Sequence, residues 1–460
     1  MKYLLSISYG VLAFMLSGCF AYNKRGGKKL PEVNPLAAYS FTTEDDLSFA
    51  PWWKSFDRPA LNALIEQSLS QNYDLAQSVS VLRQAQSIVK STRGGRYPQV
   101  DIEAGTSKDW EDGEAQRSSS DGGLALSWEL DIWNRIRAAA KADEFELQAR
   151  SADVDALKLS LSAEVANSYF RAVAARERID LLQSQVRLDK ELERLLQLRL
   201  DNGVGTNVDV LLQQVRVADS ETLIPLAESE LAIYENRLDV LLGETPDAKS
   251  RVSESESLKF DSALPAIGLP SALLLERPDL RSAYAELVAA DYEIGTAIAE
   301  RLPRITLGAS YLYSDDSSFS GPVFSLLGSF VQPLLDWGAR KAEVERNEAL
   351  YEERLAAYTQ LFLEAVEDVE NALIQEIKQS EFLEKLTVQR DLLQRTVDAA
   401  EKRYTQGIDD YQPVISALQE LRSVERNMIT AKLDLLSVRV DLFRAIGGPI
   451  NSKSETGSNL

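Results

Sequence analysis

Side chains able to do covalent chemistry are scarce in this 460-residue sequence. Cys19 is its only cysteine, there is no histidine, and there are three methionines. Without histidine, neither a Ser-His-Asp nor a Cys-His relay can be assembled. The usual ligand sets for zinc, haem or copper are missing too, and no intramolecular disulfide can form. A phosphate loop, a nucleophile elbow and a metal-ligand cluster are also absent, so the chain reads as a non-enzyme without a cofactor. What remains is charge. Asp409-Asp410-Tyr411 follows Arg403 and Gly407, and Asp209 follows Gly203-Val204-Gly205. Such groups attract, repel or latch; they do not break bonds. Acidic residues outnumber basic ones 71 to 50, a net charge of −21, which argues against a nucleic-acid partner.

Cys19 has a specific setting. Lys2 supplies a thin basic start, and Leu4 to Leu16 is mostly apolar but too short to span a bilayer. Leu16-Ser17-Gly18-Cys19 then resembles a bacterial lipobox, in which the cysteine becomes the first residue and is acylated on its sulfur and new amino group. Residues 1–18 are therefore expected to be a lipoprotein signal peptide, with covalent lipid on Cys19 and residues 19–58 as an acylated extended segment. The plainer alternative is an ordinary signal peptide with an incidental cysteine. Phe20 follows the cysteine, where an Asp would favour inner-membrane retention in lipoproteins generally, so outer-membrane sorting is permitted. No later run of 18 uncharged apolar residues exists.

The elements that position these groups come in two copies. Arg96-Tyr97-Pro98 recurs as Arg301-Leu302-Pro303, and Leu130-Asp131 with Arg135 recurs as Leu335-Asp336 with Arg340, both at an offset of 205. Arg199 to Val204 recurs as Arg403 to Ile408, and Leu241-Leu242-Gly243 as Ala445-Ile446-Gly447, both at 204. So long a period reads as a duplicated domain rather than a solenoid. Repeat 1 is expected over 59–246, with strands at about 98–107 and 122–132 and a long helical hairpin over 134–243. A linker follows over 247–270. Repeat 2 covers 271–450, with strands at about 303–313 and 322–333 and a hairpin over 337–447, before a disordered tail at 451–460.

Residues 134–202 and 341–406 contain the long helices. The first lacks both Pro and Gly, is rich in strong helix formers, and would be about 100 Å long. Apolar residues recur at spacings of three and four on more than one stripe, so each helix should pack on two sides. Pro225 should kink the return helix of repeat 1. The strands show period two: Val100, Ile102 and Ala104; Leu124, Leu126, Trp128 and Leu130; Ile305, Leu307, Ala309 and Tyr311. The fourth segment, Val323 to Gln332, is apolar on both faces and its outward side cannot be read.

Strands of about ten residues can cross a bilayer, but four alone would leave edge groups unpaired in hydrocarbon. Three chains giving four strands each to one closed barrel would remove the edges and leave an aqueous lumen. Lys108–Asp121 and Ser314–Gly321 would be its polar external loops, and the long helices would continue below as a tube. The alternative is that the hairpins cap a soluble helical bundle.

This arrangement resembles the outer membrane efflux protein family of TolC-like channels, and within it the lipoprotein branch serving resistance-nodulation-division pumps. The likeness covers nearly the whole chain after the signal. It is carried by Cys19, Trp52-Trp53 with Phe56 and Leu61, Asn72-Tyr73-Asp74-Leu75, Leu130-Asp131-Ile132-Trp133, Asn202-Gly203-Val204, Arg277-Pro278-Asp279-Leu280, Pro333-Leu334-Leu335-Asp336, and Arg403-Tyr404 with Gly407. The resemblance implies a mainly α fold with a membrane β-barrel portion. A homotrimer would share one twelve-stranded barrel above an α-helical tunnel, in the bacterial outer membrane and its lipid, with the helices in the periplasm. It implies a passive conduit for small molecules, working with a periplasmic adaptor protein and an inner-membrane efflux transporter. The turns bearing Gly203, Val204, Gly205 and Gly407 would lie at the periplasmic tip and contact the adaptor.

At such a tip, Asp409 and Asp410 from three chains would form an acidic ring, with Tyr411 beside it. Alternatively, both acids simply cap the following helix. Relatives carry a further carboxylate one turn on, where this chain has Ser416. Asp209 and Arg403 would bridge neighbouring hairpins, or form a solvated surface pair. An acidic tunnel lining would select cations; a solvated acidic exterior is the other reading. Competing functions are the outer-membrane channel of a type I protein secretion system and a structural lipoprotein that spans the periplasm without a pore.

Overall fold

The computed structural model describes residues 51–111, 114–253, 255–259, 277–316 and 319–448. The signal segment, Cys19 and the tail lie outside the described residues. The chain divides into two packed units. Unit one holds residues 78–153 and 279–362, and unit two holds the remaining described residues.

Unit one contains the sheet. Helix α2 (Tyr73–Gly94) leads into β1 (Gln99–Glu111) and β2 (Glu114–Glu129); α5 (Pro278–Ala299) leads into β3 (Arg304–Asp316) and β4 (Ser320–Val331). The four strands are antiparallel in the order β1-β2-β3-β4. Both hairpins run further than the apolar alternation indicates. Much of Lys108–Asp121 and Ser314–Gly321, expected as loop, is ladder. The extension is polar: Ser107 and Ser119 join hydroxyls across the pair at 2.8 Å, and Thr106 Oγ1 donates to Ser119 O. Hydroxyl side chains can satisfy a strand pair that has no apolar core to face.

Register gives the sheet two distinct faces, because side chains directly opposite each other share a side. Val100 pairs with Leu126, Leu126 with Ala309, and Ala309 with Leu326. Ile102, Leu124, Tyr311 and Phe324 form the next such row. The opposite face carries Asp101, Glu103, Asp121 and Glu129 among serines, glycines, Ala125, Thr306 and Leu312. This resolves β4: Phe324, Leu326 and Phe330 join the apolar face, while Val323, Leu327 and Val331 join the polar one.

Each hairpin then hands over to a long helix. Asp131 accepts from the amides of Ile136 and Arg137, both at 2.9 Å, capping α3 (Arg135–Asp201). Asp336 does the same for α6 (Ala339–Thr405) through Gly338 N and Arg340 N. Exposed amides at a helix start attract such carboxylates. Both helices have 67 residues. They contribute to both units.

In unit two, the return helices are α4 (Asn207–Leu241) and α7 (Gln412–Ala445), and α4 continues through Pro225. The start of each repeat is tied to the end of its own return helix. Ser68 of α1 (Pro59–Gln71) and Asn72 both donate to Leu241 O; at the corresponding place in repeat 2, Arg277 donates to Ala445 O at 3.3 Å. These contacts satisfy carbonyls that a helix end leaves open. The sequence pattern suggests one helix over Pro59–Lys90; the chain breaks it at Asn72, whose Oδ1 caps α2 through Asp74 N and Leu75 N. Trp52 and Trp53 are buried, with Trp52 stacked on Phe443 at 5.5 Å. Arg58 clamps the following linker through Glu256 and Ser257 O, each at 2.6 Å. No helix among the described residues is long and apolar enough to cross a membrane.

Candidate gate at the paired helix turns

The two long helices end in the same turn. Gly203 (φ +73°) donates to Leu200 O at 2.9 Å while Val204 N reaches Arg199 O at 2.9 Å; Gly407 (φ +71°) donates to Tyr404 O while Ile408 N reaches Arg403 O, each at 3.0 Å. This paired bonding closes a helix with one left-handed residue, which glycine adopts without a Cβ clash. Gly205 serves another purpose: a Cβ there would sit 2.9 Å from Leu200 N. Val204 and Ile408 occupy equivalent positions, and both side chains are exposed.

After the turn the copies diverge. Thr206 caps α4 by accepting from Asp209 N at 3.2 Å. At α7 the cap position is Tyr411, which makes no side-chain cap bond. Neither Asp409 nor Asp410 is the cap residue. Arg403 brackets Asp409 through Nε and through Nη2, the latter 2.9 Å from Oδ1. This guanidinium holds the Asp409 carboxyl below the ordinary aspartate range. Arg403 thus engages an acid on its own turn, six residues on, rather than Asp209. Asp410 is exposed.

Tyr411 points inward. It is 2% exposed and packs with Leu196, Val210, Val414 and Ile415, joining all four hairpin helices through neighbours that include Tyr404. Its hydroxyl donates to Gln213 Oε1 at 2.9 Å. Gln213 Nε2 donates to the Asp189 carboxylate at 3.0 Å, and Asp189 also accepts from Ser220 at 3.0 Å and Arg422 at 2.6 Å. Burial, then the Asp189 charge, raises the Tyr411 phenol pKa. Burial and the charge of Arg422 lower that of Arg216 nearby. Tyr404 lies 5.1 Å from the Tyr411 ring, with the Arg199 guanidinium 4.6 Å from its own ring centre.

Sequence reasoning missed Asp189, Gln213 and Arg422. Their signal was present but indirect. Gln213 falls between Val210 and Val217 at spacings of three and four, and Asp189 follows Val186 by three. A polar residue at an apolar-spaced position marks a buried network when it has partners on facing helices.

Two repeats with this turn chemistry, a four-stranded membrane-length sheet and paired long helices match a known family. The model of the outer membrane efflux protein family fits residues 64–244 and 269–448. The chain belongs to that family. It is therefore an outer-membrane efflux channel, a transport conduit rather than an enzyme. The pyoverdine export outer membrane protein OpmQ of Pseudomonas aeruginosa is 28% identical over 94% of this chain and 96% of its own. The toluene efflux pump outer membrane protein TtgF of Pseudomonas putida is 27% identical over 89% of this chain and 88% of its own. The probable outer membrane lipoprotein SilC of Salmonella typhimurium is 27% identical over 97% and 98%. Among solved structures, the outer-membrane channel OprN superposes with a TM-score of 0.83 at 29% identity, covering 92% of this chain and 98% of that one.

Around the paired turns of this efflux channel, the residues fall into an outer layer and a buried one. The outer layer is Val204, Ile408, Arg403 and Asp410, all exposed, with Asp409 and Asp209 half-buried beside them. The buried layer is Tyr411, Gln213, Asp189 and Arg422.

Proposed function

We propose that three copies of this efflux channel close their sheets into one twelve-stranded barrel, continued by an α-helical tunnel. The observation that carries this reading is the open sheet, with β1 and β4 at its edges and one apolar face. An open edge in hydrocarbon costs several kcal/mol per unpaired group, so closure with further copies is required. The apolar face then meets lipid and the acidic face lines water. Strands of 12 to 16 residues are long enough to cross with tilt and extend beyond it.

The conduit is passive and carries small molecules from the periplasm to the exterior. A periplasmic adaptor and an inner-membrane transporter supply the drive. The names of relatives in pyoverdine export and toluene efflux support this. The turns with Val204 and Ile408 present matched aliphatic groups to the adaptor, and Gly203, Gly205 and Gly407 shape that surface. Asp409, Asp410 and Asp209, with Arg403, set the charge at the gate, while Tyr411 anchors the gate helices from within. Cys19 carries the lipid anchor, a reading supported by the relative named as an outer membrane lipoprotein.

The deciding experiment is native mass spectrometry of the detergent-extracted protein, followed by planar-bilayer recording. A trimer with acyl mass on every chain and a steady conductance is expected. A monomer stable without detergent would overturn the shared barrel.

A further inference from the structure

The internal repeat also fixes how one copy must join the next. Within the chain, β2 of repeat 1 pairs with β3 of repeat 2, placing Leu126 opposite Ala309, Leu124 opposite Tyr311 and Trp128 opposite Leu307. The remaining junction, β4 of one copy with β1 of another, joins the equivalent strands. Equivalence follows from the hairpins: Val100 faces Leu126 in the first and Ile305 faces Phe330 in the second. Val100 and Ile305 are each the second residue of their strand, so Phe330 stands where Leu126 stands. By the same correspondence, Ala104 stands where Ala309 stands.

We propose that β4 meets β1 of a second copy in the register of the β2–β3 junction, with Phe330 directly opposite Ala104 of the neighbouring copy. This rests on the shared-barrel reading and adds its register. Gln332 then faces Ile102, and Gly328 faces Thr106, of that neighbour. An independent feature agrees. The apolar face must continue across the junction, and a slip of one residue would turn every side chain over. The transferred register satisfies this, since Phe330 and Ala104 both lie on the apolar face. Ile102 and Phe330, both exposed at the edges of the lone sheet, become diagonal neighbours on the apolar face.

Disulfide trapping reads the register. Residues directly opposite have Cα atoms about 4.5–5.5 Å apart, within disulfide reach, whereas a two-residue slip does not. The double variant Phe330→Cys with Ala104→Cys, oxidised in outer membranes, should link chains into trimers. Phe330→Cys combined with Ile102→Cys or Thr106→Cys tests the slips that keep the faces aligned, and should link at least tenfold less. Gly328→Cys with Thr106→Cys is a second in-register pair, at a glycine whose Cβ would meet nothing within 4 Å. Phe330→Cys alone must not link, which controls for Cys19. Linking at a slipped pair overturns the register and leaves the shared barrel standing. If no pair links although native mass spectrometry finds a trimer, edge-to-edge closure itself is overturned.

Discussion

Asp189 is a carboxylate almost sealed from water, held by Arg422, Gln213 and Ser220. Asp189→Ala leaves Arg422 buried without its acid, and removing one partner of a buried ion pair costs about 3–5 kcal/mol. Denaturant unfolding followed by helical circular dichroism should show that loss. Pairing it with Arg422→Met should recover part of it, because both charges are then gone. The exposed pair behaves differently. Arg403 lowers the Asp409 pKa in the folded chain, so its contribution is complete above about pH 4 and is lost as pH falls through the lowered value. Hydrogen exchange in the 405–411 turn, corrected for intrinsic rates, should quicken on acidification through that range. Asp409→Asn should show the quickened turn already at neutral pH, and an unchanged turn would mean that the pair does not hold it.

At the scale of elements, the long helices were legible because Pro and Gly are absent from 134–202, and their ends were marked by glycine. The turn glycines should tolerate no side chain without strain: Gly407→Ala should weaken the α6–α7 turn by about 1–2 kcal/mol, read as local exchange. Gly407→Asn should cost less, since Asn visits the left-handed region more readily. Strand extent was less legible. Alternation stops where apolar residues stop, but Ser107 and Ser119 continue the ladder with hydroxyls. The outward side of β4 could not be read from one strand that is apolar on both faces; it follows only from partners such as Ala309 and Leu326. At the candidate site the turns and their charges were visible, whereas Asp189, Gln213 and Arg422 were not. In one dimension a polar residue on an apolar stripe looks like an interruption of the stripe, and only facing helices supply the partners that let it be buried.

For the whole molecule, the two faces of the sheet make opposite demands. Ile102→Lys places a charge on the face assigned to lipid, at a cost of about 2–4 kcal/mol near the bilayer midplane. Glu103→Lys, one residue away on the other face, avoids that cost. The first should reduce the amount of heat-resistant trimer in outer membranes and the second should not; equal effects would remove the facial assignment.

The sheet also sets an order of events in assembly. Leu126 and Ala309 are opposite each other in space but roughly 180 residues apart along the chain, so their pairing closes a very long loop. Between them lies the whole first helical hairpin, whose helices form from local contacts and so form early. Until that excursion is made and returns, β2 has only β1 for a partner. Two-stranded ribbons are marginal by themselves, so the membrane-facing surface is completed last. On that order the chain would reach the lipid with its helices already built, and any factor that escorts it there would need to shield two separate ribbons rather than a finished sheet.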